Sequence, residues 1–158
     1  MVSSKFFVKV LIGIIALIGI NTAKADINQM KSNDFSEQQN QFKALYEKEW
    51  GQTLPCRETA LNRFSVCSNV LRNEGNAPFM LTNKSSNKVA VLIHGLSDSP
   101  FFMREIAKIL FEQGFTVVVP LLPGHGKRDA NDDMSDWDLA ERWQAHVDEV
   151  IDLADSMG

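Results

Sequence analysis

Two continuous apolar runs, Val89 to Ile93 and Phe115 to Val119, bracket a stretch in which apolar residues return at helical spacing. Runs of β-branched residues without alternation belong to strands covered on both faces. A helix between two such strands is a β–α–β crossover, which sets the strands parallel in one sheet. The helix signals agree: Ser99 stands at the N-cap, Pro100 at the first helical position and Gly114 just past the end. Phe102, Ile106, Ile109, Leu110 and Gln113 share one face of it, and that face, with Phe102 on it, is expected to be buried.

The flanking segments extend the pattern. Ala77 to Thr82 reads as a strand that turns through Asn83 to Lys88 into Val89 to Ile93, a hairpin. Pro120 to Met134 is a long loop holding Pro123-Gly124-His125-Gly126. Ser135 with Asp138 three residues on is a capping box, opening a helix at Asp136 expected to turn Trp137, Ala140, Trp143, Val147, Val150, Ile151 and Ala154 inward. Upstream, Phe42, Leu45, Tyr46 and Trp50 recur at helical spacing before Gly51. Ile27 to Asn40 is polar and reads as a loose leader, and Gln52 to Ser68 shows no period. The expected fold class is α/β, a mainly parallel sheet flanked by helices.

Lys5 and Lys9 precede an uncharged apolar run from Val10 to Ile20, and Ala23-Lys24-Ala25 fits a small-x-small cleavage site. Residues 1–25 therefore read as a signal peptide cut after Ala25, with export to a periplasm or beyond. The run is about half of the roughly 20 residues that span a bilayer, which leaves an N-terminal membrane anchor as the alternative. Residues 26–50 are then the leader and short helix, and residues 51–158 the rest of the domain. Loss of Lys5, Lys9 and Lys24 leaves 13 basic against 20 acidic residues, a net charge of −7. Such a surface argues against a nucleic-acid partner. Cys56 and Cys67, separated by ten residues, are the only cysteines. In an oxidising compartment the pair is expected to close into a disulfide, and two ligands are too few for a metal site.

Ligands in open α/β sheets sit beyond the carboxyl ends of the strands, where His94-Gly95-Leu96 and Pro123-Gly124-His125-Gly126 both fall. Gly95 permits close backbone approach, so the amides after it, Leu96 first, are placed to meet an oxygen gaining negative charge. In order, "VAVLIHGLSDSPFFMREIAKIL", "FTVVVP", "LLPGHG" and "DMSDWDLAERW" make the chain resemble the α/β-hydrolase superfamily over roughly Phe79 to Met157. Within it, the likeness is to esterases and monoacylglycerol-lipase-like members of the serine aminopeptidase type. The resemblance implies that the His-Gly turn follows the third strand and that Leu96 donates one oxyanion-hole N–H, with His94 and Gly95 shaping the turn. It also implies that the next strand pairs beside Val89 to Ile93. The nucleophile, on a Gly-x-Ser-x-Gly elbow, comes only there, and the acid and the base histidine come later still. The helix from Asp136 reaches Gly158 first, so none of the triad is expected within these residues.

Gly95-Leu96-Ser97-Asp98-Ser99 is one residue short of such an elbow, yet no glycine-bearing strand end lies upstream to serve it as an oxyanion loop. Ser97 and Asp98 are therefore expected to be loop residues. His94 is expected to pack the turn, His125 to brace a loop or line the pocket, and His146 to sit near a helix interface. Phe101 and Phe102 are candidate walls of an acyl pocket. Asp129, Asp132, Asp133, Asp136 and Asp138 lack the glycine and oxygen spacing of a calcium loop and read as a solvated face. The resemblance thus implies the amino-terminal part of an exported serine hydrolase for carboxylic esters, esterase- or lipase-like, taking a small ester or lipid, without cofactor or metal. The fragment alone is expected to be inactive. The alternative is a non-catalytic exported binding module or a truncated gene product. An open sheet edge at Val89 to Ile93 invites self-association.

Overall fold

The apolar runs do become strands, and the chain around them folds into elements that follow local signals more closely than distant ones. A computed structural model describes residues 35–158 apart from Thr59 and Leu61 and the side chains of Asn131 and Asp132. The expected signal peptide and the start of the leader lie outside the described residues. In chain order come helix α1 (residues 35–50), strand β1 (Arg63–Ser65), a one-turn 3-10 helix (Glu74–Asn76), β2 (Phe79–Leu81) and β3 (Val89–Val91). Helix α2 (Pro100–Glu112), β4 (Thr116–Val119), the short α3 (Ala130–Asp133) and α4 (Leu139–Asp155) follow.

The crossover forms as its pattern requires: β3 and β4 run parallel, Val89 opposite Thr116 and Val91 opposite Val118, with α2 between them. The remaining pairings are antiparallel, β2 with β4 and β1 with β2, in the order β1-β2-β4-β3. The sheet is therefore mixed rather than mainly parallel, and the expected hairpin of β2 with β3 does not form, because β4 inserts between them. All four residues of β4 are buried, so its backbone groups need partners along both edges. The connection from β2 to β3 is long enough to step over one strand. It is pinned where it crosses: Thr116 N–H donates to the Lys88 carbonyl at 2.8 Å, and Asn83 N–H donates to Thr116 Oγ1 at 3.1 Å.

Side chains alternate across this sheet and feed two apolar layers. Met80 and Val118 face α1 and α4, meeting Phe42, Tyr46, Val150 and Leu153. Phe79, Val117 and Val119 face α2 and meet Ala107, Met103, Leu110 and Phe111. Full burial of each large side chain here contributes roughly 1.5–3 kcal/mol.

Several expectations are corrected. Residues 35–40 are helix, not leader: polar Gln38 is buried because its Nε2 donates to the Ser156 carbonyl at 3.0 Å, tying α1 to the end of α4. Strand β1 lay hidden in the stretch without period because three residues are too few to show alternation. The Cys56–Cys67 disulfide does form, beside the bridge between Leu54 and Cys67 that leads into it. On α2 the apolar residues run nearly all round, offering two stripes, and the sheet takes the one centred on Ala107, whose small side chain lets the helix approach β4. Phe102, Ile106 and Ile109 consequently face outward, Phe102 at 60% exposure. Helix α4 starts at Leu139 with Asp138 at its N-cap and no side-chain cap, so the box from Ser135 is not made. Its inward stripe is Leu139, Trp143, His146, Val150 and Leu153, while Trp137 is 91% exposed and Ala140 and Ile151 also face solvent. Polar His146 is admitted to the interior by Tyr46, whose hydroxyl lies 3.3 Å from Nε2. No helix among the described residues is long and apolar enough to cross a membrane.

Candidate functional site

The carboxyl ends of β3 and β4 open side by side, and the two glycine loops that leave them wall one cleft of about 400 Å3. Ser97, Asp98 and Ser99 come from the first loop, Gly124, His125 and Gly126 from the second, and Arg72, Asn76 and Phe102 close the sides.

The first loop is a tight turn closed by Asp98 N–H on the Gly95 carbonyl at 3.1 Å. Its third residue, Ser97, has φ +64°, a left-handed backbone that side chains rarely adopt and that costs about 1–2 kcal/mol outside glycine. Among the described residues neither the Leu96 nor the Ser97 N–H meets an acceptor. A Cβ on Gly95 would meet only the Asp98 carboxylate, at 3.4 Å, so the space beside that backbone is open. The Leu96 side chain points out at 70% exposure and is not a wall of the cleft.

The second loop is a β-turn from Leu122 to His125, closed by the His125 N–H on the Leu122 carbonyl at 3.1 Å. Pro123 at the second position and Gly124 at the third, φ +80°, are the residues that a type II turn selects. Gly126 is held harder. It combines φ +66° with atoms of Asn76 and Leu121 about where a Cβ would stand, at 3.1 Å. The loop is fastened by Arg72 N–H on the Gly126 carbonyl and Arg128 N–H on the Val70 carbonyl.

The histidines divide as their hydrogen bonds dictate. Leu122 N–H donates to His94 Nε2 at 3.1 Å, so the ring proton sits on Nδ1 and goes to the Gly95 carbonyl at 3.0 Å. His94 is thus the neutral strut between the two loops. Burial holds it below the usual imidazole range, the Gly95 bond and Asp98 opposing that and His125 reinforcing it. His125 packs edge-on to His94 and against Trp143, which donates Nε1–H to the Pro123 carbonyl. Its own Nδ1 donates to the same carbonyl, leaving Nε2 buried with no partner. His146 lies away from the cleft, bonded to Tyr46.

Two side chains that the sequence does not single out complete the frame. Asn76 accepts from the Ser99 hydroxyl at 3.0 Å and donates to the Gly126 carbonyl at 3.3 Å, clamping one loop to the other. That bond also takes the Ser99 hydroxyl away from helix capping, although Ser99 keeps the N-cap position. Lys127 pairs with Glu49 on α1 and Asp133 on α3. Its burial would lower its pKa, but the two carboxylates outweigh that and raise it. Only the turn of a short 3-10 helix brings Asn76 here, and no motif announces it. Phe102 reaches the cleft as a wall; Phe101 stacks instead under the Arg104 guanidinium. Among the described residues no three His, Cys, Asp or Glu side chains gather as a metal site would require.

No protein-family model, no curated protein and no solved structure matches this chain. The site therefore has to be read from its own chemistry: two unspent amides on a tight turn, a buried imidazole nitrogen without a partner on the second loop, and a cleft that a small molecule can enter.

Proposed function

We propose that this chain is the amino-terminal part of an exported α/β-hydrolase-type serine hydrolase acting on carboxylic esters, and that it supplies the half of the active site that holds the oxyanion. The observation that carries the reading is the free pair of amides at Leu96 and Ser97, on a turn that His94 braces against the second glycine loop and from which Ser97 lines the cleft. Backbone donors fixed before the reaction stabilise the charge of a tetrahedral intermediate without reorganising, and removing one such donor from a complete enzyme costs on the order of 10² to 10³ in rate. The position of β3 adds support: it is the third strand and an edge strand, as the family's His-Gly-bearing strand would be if its next neighbour were missing. An acyl-transfer nucleophile then has to come from outside these residues.

A second reading has one observation in its favour. Ser97 combines a left-handed backbone with a strand-to-helix turn, as the serine of a nucleophile elbow does, and His125, whose buried Nε2 has no partner, lines the same cleft. A fluorophosphonate probe separates the two, because it traps a serine only where a base activates it. The first reading expects no mass increase in the full chain and hydrolysis of a short-chain nitrophenyl ester at the buffer rate. An adduct mapped to Ser97 overturns it in favour of the second.

A further inference from the structure

We propose that the cleft beside the disulfide is a second binding site, one that takes a small organic acid by its carboxylate between Arg72 and Arg128. This cleft, about 630 Å3, is lined by Leu54 and Pro55, by Cys67 of the disulfide, and by Asn69, Arg72 and Arg128. The backbone brings the two arginines together. Leu71 and Lys127 form an antiparallel bridge, fastened by Arg72 N–H on the Gly126 carbonyl at 2.9 Å and Arg128 N–H on the Val70 carbonyl at 3.0 Å. Neighbours along an extended chain point to opposite faces, so Arg72 and Arg128 share the face that Leu71 and Lys127 leave, as diagonal partners about 7–8 Å apart. Arg128 is also aimed: its Nε donates to the Leu71 carbonyl at 3.3 Å, which fixes the plane of the guanidinium beside Arg72.

Both charges stand unanswered in a chain that has carboxylates to offer, 20 acidic residues against 16 basic. Arg57, Arg104 and Arg142 each pair with one, and Arg63 lies over the Phe79 ring. Among the described residues Arg72 and Arg128 pair with neither a carboxylate nor a ring. Glu58 and Glu74 line the same cleft, but Arg104 and Arg57 hold them.

Two like charges held on one face repel, and an anion between them relieves both. The planar guanidinium fork matches a carboxylate through two parallel hydrogen bonds. Glu58 and Glu74 select the carboxylate over a phosphate, because they repel the nearly doubled charge of a phosphate about twice as strongly. The cleft has room beyond the charged group for a short carbon chain, and Leu54 and Pro55 give that chain an apolar surface. Arg72 lines the first cleft as well, so the two clefts adjoin.

The proposal does not depend on the hydrolase reading, and its test is separate from chemistry. The full chain, labelled at arginine, is titrated with butyrate at constant ionic strength while the Nε–Hε signals are followed by NMR. The Arg72 and Arg128 signals should shift together and saturate, while that of Arg142, already paired with Asp136, stays still. Butyramide, the same shape without the charge, should move none of them. Arg72→Gln should weaken butyrate binding by about tenfold, the loss of one charge-assisted bond. The Arg72 side chain makes no ion pair among the described residues, so this variant should keep an unchanged circular dichroism spectrum. Arg128→Gln should weaken binding to a similar extent. Shifts that grow without saturating, an equal response at Arg142, a response to butyramide, tighter saturation by inorganic phosphate, or an Arg72→Gln chain that binds butyrate like wild type would each overturn the proposal.

Discussion

Replacing His94 by alanine removes the strut between the two loops. The Leu122 N–H, on a residue only 7% exposed, loses its acceptor at 3.1 Å. An orphaned buried donor costs about 1–3 kcal/mol. The ring's edge-on contact with His125, 4.8 Å between centroids, is lost as well, adding about 1 kcal/mol. The total, about 2–4 kcal/mol, is a large part of the 5–15 kcal/mol that holds a typical domain. With a urea dependence of about 1–3 kcal/mol per molar, the unfolding midpoint should fall by about 1–2 M at unchanged slope. The same substitution changes the response to acid. Burial depresses both His94 and His146, so their unfolded imidazoles take up protons near pH 6.5 while the folded ones stay neutral to lower pH. Stability is therefore full above about pH 6.5 and falls as the pH drops from there through the folded pKa values. Removing His94 deletes one of the two contributions and should flatten that fall. A midpoint within about 0.3 M of wild type, or an unaltered acid profile, would refute the strut.

Other substitutions probe the frame. Ser97→Gly should raise stability by about 1 kcal/mol, read from thermal melts, because glycine adopts φ +64° without strain. Gly126→Ala should be costlier than Gly124→Ala, since both sit at positive φ but only Gly126 has neighbours at 3.1 Å where a Cβ would go; urea midpoints should rank them so. Breaking the Cys56–Cys67 bond, which closes a loop of 11 residues, should cost about 3 kcal/mol, and the unreduced chain should show no free thiol on labelling. Tyr46→Phe leaves the Leu121 N–H, bonded at 3.0 Å to the hydroxyl, without a partner and should lower the urea midpoint by an amount equivalent to about 1–3 kcal/mol.

What the sequence disclosed was whatever a single element decides for itself. The β3–α2–β4 crossover was legible because β-branched runs, Pro100 and Gly114 all speak locally, and the disulfide because two cysteines have one way to pair. The convergence of the two glycine loops followed from the parallel pair. Illegible were features decided by a partner far along the chain. Helix α1 begins among polar residues because Ser156 satisfies Gln38. His146 is inside because Tyr46 bonds it, and Trp137, which precedes the first residue of α4, stands in solvent. Strand β4 displaces the hairpin because it needs backbone partners on both sides. Helix α2 offered two apolar faces, and only the width of Ala107 told the sheet which to take.

The direct test of an oxyanion-holding half-site is an amide titration. The isotope-labelled full chain, followed by heteronuclear NMR, is titrated with a short alkylphosphonate, whose tetrahedral anion resembles an ester's reacting carbon. The amide signals of Leu96 and Ser97 should shift saturably, ahead of any others. If those two amides stay unmoved while signals elsewhere respond, the turn does not hold an oxyanion.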